Sequence, residues 1–242
     1  MTGGGAARRG SFITLEGGEG AGKSTQARML AERLALRGIE CVTTREPGGS
    51  PKAEELREIL LSGAAKPLGV LAEALLFAAA RIDHLDATIR PALARGAWVI
   101  CDRFVDSTRA YQGALGNIDP RQIRALEDVT VGPTRPDLTL ILDLPPEIGL
   151  ARATARRGEA GVDRFEGEAI EFHRGLRQAF LDVAAAEPDR CARIDASQAA
   201  RQIADAIWTH VVRRLFARQL RGGARPFEGF AGEDAASGEA GS

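Results

Sequence analysis

An α/β fold, a parallel sheet covered by helices on both faces, is predicted by three features of the sequence. Short apolar runs alternate with longer stretches of helical periodicity along most of the chain. A glycine-rich stretch, Gly17 to Thr25, separates the first apolar run from the first helical one. The 242 residues, 44% of them hydrophobic, suffice for one sizeable core and show no repeat that would suggest a second.

The elements follow in order. Phe12 to Leu15 is a short apolar run of the kind a strand buried on both faces requires, and Ala27 to Arg37 after it is amphipathic at helical spacing. Cys41 to Thr44 is the second strand. Leu68 to Ala94 reads as one long helical stretch, apolar on more than one face. Trp98 to Cys101 is the third strand, Arg121 to Val131 a helix, Leu138 to Asp143 the fourth strand, and Phe165 to Ala186 another helix. Cys191 to Ile194, the least apolar run, completes a five-stranded sheet. Strand then helix, repeated, implies right-handed crossovers, with ligands gathered at the carboxyl ends of the strands.

Two ends stand apart. Residues 1–10 are rich in Gly and Ala, and residues 222–242 in Gly, Ala and acids, so neither can offset the entropy of ordering; both are expected to be disordered, leaving one domain over 11–221.

Composition excludes several functions. With 32 basic against 33 acidic residues, the formal charge of −1 gives no field for nucleic acid or an anionic membrane. Cys41, Cys101 and Cys191 lie far apart beside apolar runs, as core residues in a reducing compartment do, not as a disulfide framework or zinc site. His84, His173 and His210 have no partner at metal spacing and read as helix-surface or boundary residues. No run approaches the 18 or so apolar residues of a membrane span, and Met1 to Gly10 lacks a signal peptide's apolar stretch, so the cytoplasm is the expected location.

Gly17-x-x-x-x-Gly22-Lys23-Ser24 matches the phosphate-binding loop pattern, with a strand before it and a helix after. Such glycines let backbone N–H groups point at phosphate oxygens; Lys23 would neutralise the β and γ charges, and the Ser24 hydroxyl would sit on Mg²⁺. The chain is therefore expected to bind a nucleoside triphosphate. Asn117, the only asparagine, does not stand in the Asn-Lys-x-Asp of a guanine-selective GTPase. The strand Trp98 to Cys101 ends in Asp102-Arg103, one carboxylate for a metal and an arginine where a motor or transporter would carry a second acid. That favours a phosphate acceptor over water.

Three further segments could serve the acceptor or the transfer itself. Asp102 to Gly113 gathers Ser107, Thr108, Gln112 and the only tyrosine, Tyr111, just past a strand end, though an ordinary polar helix start would look the same. Phe77 and Arg81 are four apart and share a helix face, a ring to stack on a base and a fork to hydrogen-bond it; taken alone, Phe77 is more often plain core. Arg152, Arg156 and Arg157 precede a polar Gly-containing segment, either a mobile lid or a solvated basic face.

EGGEGAGKST at 16–25, TREPGG at 44–49, EELREIL at 54–60, LLFAAAR at 75–81, DRFVDSTRAYQG at 102–113 and RRGEAGVDRFE at 156–166 occur in this order and spacing. In them the chain resembles the bacterial thymidylate kinases over about residues 11 to 210. The resemblance implies a three-layer P-loop kinase fold with a mobile lid at about 152–166, a homodimer, and transfer of the ATP γ-phosphoryl group to dTMP with Mg²⁺. By the same resemblance Gly17, Gly18, Glu19, Gly20, Ala21, Gly22, Lys23, Ser24 and Thr25 would hold the ATP phosphates, and Arg152 would lie along the adenine. Ser24 and Asp102 would serve the metal. Glu46, Pro47 and Arg57 would line the acceptor site, with Arg57 and Arg103 on its phosphate. Phe77 would stack on thymine, Arg81 reach O4, Thr108 and Gln112 the N3 edge, and Tyr111 pack under the deoxyribose. Glu19 would stand near the 3′-hydroxyl and the transfer site. With no basic residue between Gly18 and Gly22, the catalytic arginines would be Arg156 and Arg157 of the lid. Phe104 stands where tyrosine is frequent, and Ala80 where some relatives have an acid. Another nucleotide or deoxynucleoside kinase would share most of these features; a nucleotide sensor would have no use for Arg57, Phe77, Arg81, Arg103 and Gln112.

Overall fold

The computed structural model describes residues 9–157, 165 and 167–217, without the side chains of Arg156 and Arg157. Five strands, β1 (Phe12–Glu16), β2 (Cys41–Arg45), β3 (Trp98–Asp102), β4 (Leu138–Asp143) and β5 (Cys191–Asp195), form one sheet in the order β2-β3-β1-β4-β5. Every pairing is parallel.

The helices are α1 (Lys23–Ala35), α2 (Pro51–Leu61), α3 (Val70–His84), α4 (Arg90–Ala94), α5 (Val105–Thr108), α6 (Pro120–Thr130), α7 (Pro146–Arg157), α8 (Ile170–Ala186) and α9 (Ala200–Val211). Alternation along the strands splits the core in two. Ile13, Leu15, Ile100, Leu140 and Ile194 face α1 and α9. Phe12, Val99 and Cys101 face the segment around Leu85, Ile89 and Leu93, while Ile141 and Cys191 meet Leu176 and Phe180 of α8. Both faces are covered, so the strands read as continuous apolar runs. The buried, unpaired thiols of Cys101 and Cys191 fit their reading as core residues.

The stretch 68–94 is not one helix. Gly69, at φ 87°, precedes α3, and a π-helical turn over Leu85–Ile89 joins α3 to α4. Pro91 has no N–H to give to the turn before it, so the regular ladder cannot run through. The expected helix 165–186 begins at Ile170. Of the tails, 1–8 and 218–242 lie outside the described residues, as do 158–164 and 166 of the expected lid. Arg9 and Gly10, assigned to the first tail by composition, are tied down: Gly10 N donates to Leu93 O at 2.9 Å, and Arg9 meets Asp137 at 3.2 Å.

Register sets the site. Leu15 pairs with Asp102 and Arg45 with Asp102, so β1, β3 and β2 end level. Arg103 N donates to Leu15 O and Glu46 N to Asp102 O, each at 2.9 Å, carrying that alignment one residue further. The connection after β1 leaves towards β2 and the one after β3 towards β4, which opens a crevice between neighbouring strand ends.

Candidate active site

The loop between β1 and α1 is built by its backbone. Gly17 has φ 134°, and a Cβ there would lie 2.4 Å from Leu142 O; Gly20 has φ 66°, and a Cβ would lie 1.9 Å from Gly149 O. Neither position admits a side chain. Lys23 is buried at the amino end of α1, its Nζ donating to Gly17 O at 3.1 Å and Gly18 O at 2.9 Å. Burial pulls the ammonium pKa below its ordinary value, opposed by the carboxylates of Glu19, Asp102 and Glu16. Ser24 Oγ donates to Asp102 Oδ2 at 2.7 Å, bringing together two hard oxygen atoms that could hold a cation, one from the loop and one from the β3 end.

Arg103 holds the centre. Its φ of 70° is unusual for a residue with a side chain, and such backbones are retained where surrounding bonds over-determine them. Its guanidinium donates to Gly17 O at 3.1 Å, Ser107 Oγ at 3.3 Å and Glu19 Oε1 at 2.5 Å. Tyr111 OH donates to the same Glu19 oxygen at 3.0 Å, with the Arg103 guanidinium 5.3 Å from its ring. Burial alone would raise the Glu19 pKa, but Arg103 and Lys23 outweigh it and hold the carboxyl at about 2.

A cavity of about 260 Å³ opens in front of this group. The loop contributes Glu19, Gly20, Gly22, Lys23 and Ser24; β3, the link after it and α5 bring Asp102, Arg103 and Thr108; the π-helical turn Arg109–Leu115 brings Tyr111 and Gln112. From the other side come Glu46, Pro47, Arg57, Phe77 and Arg81. Phe77 is only partly buried and lines this cavity, so of its two readings the core one is overturned. Arg57 donates to Pro47 O at 2.6 Å. Arg81, 3% exposed, donates to Glu46 Oε2 at 2.7 Å and Thr108 Oγ1 at 3.1 Å. Gln112 donates to Glu73 at 2.8 Å, which fixes its amide.

Not every expected residue lines the cavity. Gly17, Gly18, Ala21 and Thr25 belong to the loop without reaching it. Arg152 lies behind, its Nη1 donating to Ala196 O at 3.0 Å past the end of β5. Arg156 and Arg157 end α7, and their side chains lie outside the described part.

Sequence reasoning missed several participants. His84 is not a surface residue: it is fully buried, with Nε2 2.7 Å from Thr44 Oγ1 and Nδ1 3.2 Å from Glu46. It stands three residues after Arg81, so both reach Glu46 from one face of α3. His173, also expected near the surface, is buried on α8. Arg45, Leu61, Phe104 and Phe165 complete the cavity wall beside Ser107 of the expected cluster.

Glu16, directly before the loop, is fully buried; it accepts from Phe104 N and Ser107 Oγ, each at 2.7 Å. Its signal was an acid ending an apolar strand. Burial, then the neighbouring Asp106, push its pKa up to about 8 from an ordinary 4.5, against Ser107, Arg103 and the Phe104 amide. An acid whose folded pKa stands above its unfolded one stabilises the fold below the unfolded pKa and loses that contribution as pH rises to the folded one. Through Glu16, thermal stability is expected to fall between about pH 4.5 and 8, and Glu16→Gln to remove that slope. Unfolding midpoints across the range decide it; an unchanged slope in the variant assigns the titration elsewhere.

A glycine-rich strand-to-helix loop with a buried lysine, a Ser–Asp pair at the neighbouring strand end and an arginine-lined cavity in front defines a P-loop phosphotransferase. The thymidylate kinase family model matches residues 15–207. A thymidylate kinase of Bradyrhizobium sp. (strain ORS 278) is 58% identical over 86% of this chain and 92% of its own length. One from Rhodopseudomonas palustris (strain TIE-1) is 59% identical over 90% and 94%. The crystal structure of thymidylate kinase from Ehrlichia chaffeensis superimposes with a TM-score of 0.68 at 33% identity, over 84% of this chain and 99% of that one. The chain belongs to the thymidylate kinase family, and so is an ATP-dependent nucleoside monophosphate kinase. No helix among the described residues is long and apolar enough to cross a membrane.

Proposed function

We propose that the protein transfers the γ-phosphoryl group of ATP to dTMP, giving dTDP and ADP for dTTP synthesis. One observation carries this: a single cavity is lined at one end by Lys23, Ser24 and Arg103 and at the other by Phe77, Arg81, Thr108 and Gln112. Phosphate chemistry and a base-sized slot with a ring, a guanidinium and an amide thus share one space.

ATP enters with its phosphates on the loop and its adenine beside Arg152. The acceptor places thymine against Phe77, its O4 and N3 edges towards Arg81, Thr108 and Gln112, its sugar over Tyr111 and its phosphate towards Arg57 and Arg103, with Glu46 and Pro47 closing the wall. The attacking oxygen belongs to the acceptor's own phosphate, whose second pKa near 6 leaves it largely dianionic at neutral pH, so no general base is needed. The task is to bring two anions in line. Lys23 and Arg103 neutralise their repulsion, and Glu19 orients Arg103. Arg156 and Arg157, at the end of α7, close over the transferring group and exclude water.

The oxygen pair Ser24–Asp102, 2.7 Å apart beside the cavity, fits Mg²⁺, which takes one or two protein oxygens and completes its shell with phosphate and water. Held by Ser24 and Asp102, Mg²⁺ would supply positive charge to offset that of the phosphates.

The functional form is proposed to be a homodimer in the cytoplasm. Leu71, Leu75 and Ile82, spaced to share one face of α3, are exposed, an apolar surface a second copy would cover. A monomeric mass by sedimentation at micromolar concentration would exclude it.

The function is tested by ADP release with ATP, Mg²⁺ and each deoxynucleoside monophosphate in turn, with thymidine as a control acceptor. Turnover with dTMP well above the rest is expected. Preference for another monophosphate, or for thymidine, overturns the acceptor assignment.

A further inference from the structure

The phosphate loop is also contacted from behind. There the first turn of α7 packs backbone to backbone on it: a Cβ at Gly149 would lie 2.3 Å from Glu19 O, the reciprocal of the Gly20 contact. Beside that contact a cavity of about 10 Å³ is lined by Gly18, Glu19, Leu144, Pro146, Leu150, His173 and Arg177. His173 is 4% exposed, and its Nε2 is buried without a hydrogen-bond partner among the described residues.

That nitrogen is polar in either tautomer, a donor in one and an acceptor in the other. Buried polar atoms are paired in folded proteins, with protein or with ordered water. No neighbouring side chain among the described residues bonds it. Leu144, Pro146 and Leu150 are apolar, Arg177 turns its Nε and Nη2 to Asp143 at 2.6 and 3.1 Å, and the Glu19 carboxylate takes Arg103 and Tyr111. The space is that of one water, which needs roughly 10–15 Å³ and two to four polar partners. Gly18 and Glu19 of the loop line the same space, so polar atoms of the loop border it. On its other side Glu19 receives Arg103 and Tyr111, so whatever fixes the loop from behind also fixes the guanidinium in front.

We propose that His173 holds one ordered water against the rear of the phosphate loop and thereby positions Glu19, and through it Arg103, for transfer. His173 touches no substrate; it is a positioning residue. Only its kinetic consequence rests on the dTMP kinase reading; the water itself does not.

Two measurements test it. A crystal structure of the unmodified chain at a resolution that shows waters is expected to place one within hydrogen-bond distance of both His173 Nε2 and a phosphate-loop atom. A dry cavity, or a protein atom on Nε2, overturns the proposal. In kinetics, His173→Phe fills the cavity with apolar volume and is expected to lower kcat about tenfold, as small misplacements of reacting groups do, with the dTMP KM and the unfolding midpoint little changed. His173→Gln, whose amide can hold the water, is expected to recover most of that loss. Wild-type kcat in His173→Phe, or equal losses in both variants, overturns the positioning role. Should His173→Phe fail to fold, the crystallographic water decides. If the unmodified enzyme turns over no dTMP, the kinase reading fails and the water test stands.

Discussion

Replacing Lys23 with methionine is expected to lower kcat for dTMP phosphorylation by about two to three orders of magnitude, the scale on which one preorganised electrostatic group acts in transfer. The ammonium is buried at the head of α1 and held between the carbonyls of Gly17 and Gly18, so its position is fixed before nucleotide arrives. In the proposed reaction it meets charge that grows on the β–γ bridge as the bond breaks. Its contribution is therefore larger in the transition state than in the bound state, and kcat should fall further than the ATP KM rises. Lys23→Arg should not rescue, because a planar fork cannot replace a compact ammonium between two loop carbonyls. Methionine keeps the length and apolar stem, and Arg103 still pairs with Glu19, so cooperative unfolding should persist. Steady-state kinetics with ATP varied at saturating dTMP make the measurement. A variant that keeps more than about a tenth of the wild-type kcat removes Lys23 from the transfer step.

The loop was legible because its meaning is local: a strand, a fixed spacing of glycines and lysine, then a helix. The strands were legible for a related reason. Buried on both faces, Phe12–Glu16 and Leu138–Asp143 have no polar alternation to confuse them. Cys191–Asp195 was fainter because it is an edge strand whose Arg193 and Asp195 reach solvent.

What was not legible is long-range. Arg103 and Glu19 are 84 residues apart, Glu16 and Ser107 91, Glu46 and Arg81 35. Nothing in either partner's neighbourhood announces the other, so the residues could be named without their bonds. The histidines failed for the same reason. His84 and His173 sit on helices at spacings that a surface residue would share, and only the packing of Glu46 over α3 and of the loop over α8 shows them buried. Resemblance to a family supplied expected roles for Phe77 and Gln112. The cavity shows that both can be reached from one space.

Arg81→Met is expected to destabilise the fold by about 3–5 kcal/mol, the usual cost of leaving one partner of a buried ion pair alone. Arg81 and Glu46 are nearly inaccessible and meet at 2.7 Å. Without the guanidinium, Glu46 keeps only His84 at 3.2 Å, and Thr108 loses its donor. That loss would mask any effect on the acceptor, so the informative variant is the double one. Arg81→Met with Glu46→Gln removes both charges, and replacing a whole buried pair by neutral groups of similar volume is often close to neutral for stability. Most of the lost unfolding free energy should return. Acceptor recognition should not, because the paired substitutions leave the wall of the cavity without the guanidinium that faces O4 in the proposed pose. The double variant is expected to fold, bind ATP normally and show a dTMP KM raised by one to two orders of magnitude, about what a lost charged hydrogen bond of 1.5–3 kcal/mol supplies. Denaturant unfolding of both variants, followed by kinetics of the double one, separates the two roles. A double variant with restored stability and a wild-type dTMP KM would mean that Arg81 only holds Glu46, and that the acceptor is read by Phe77, Thr108 and Gln112 without it.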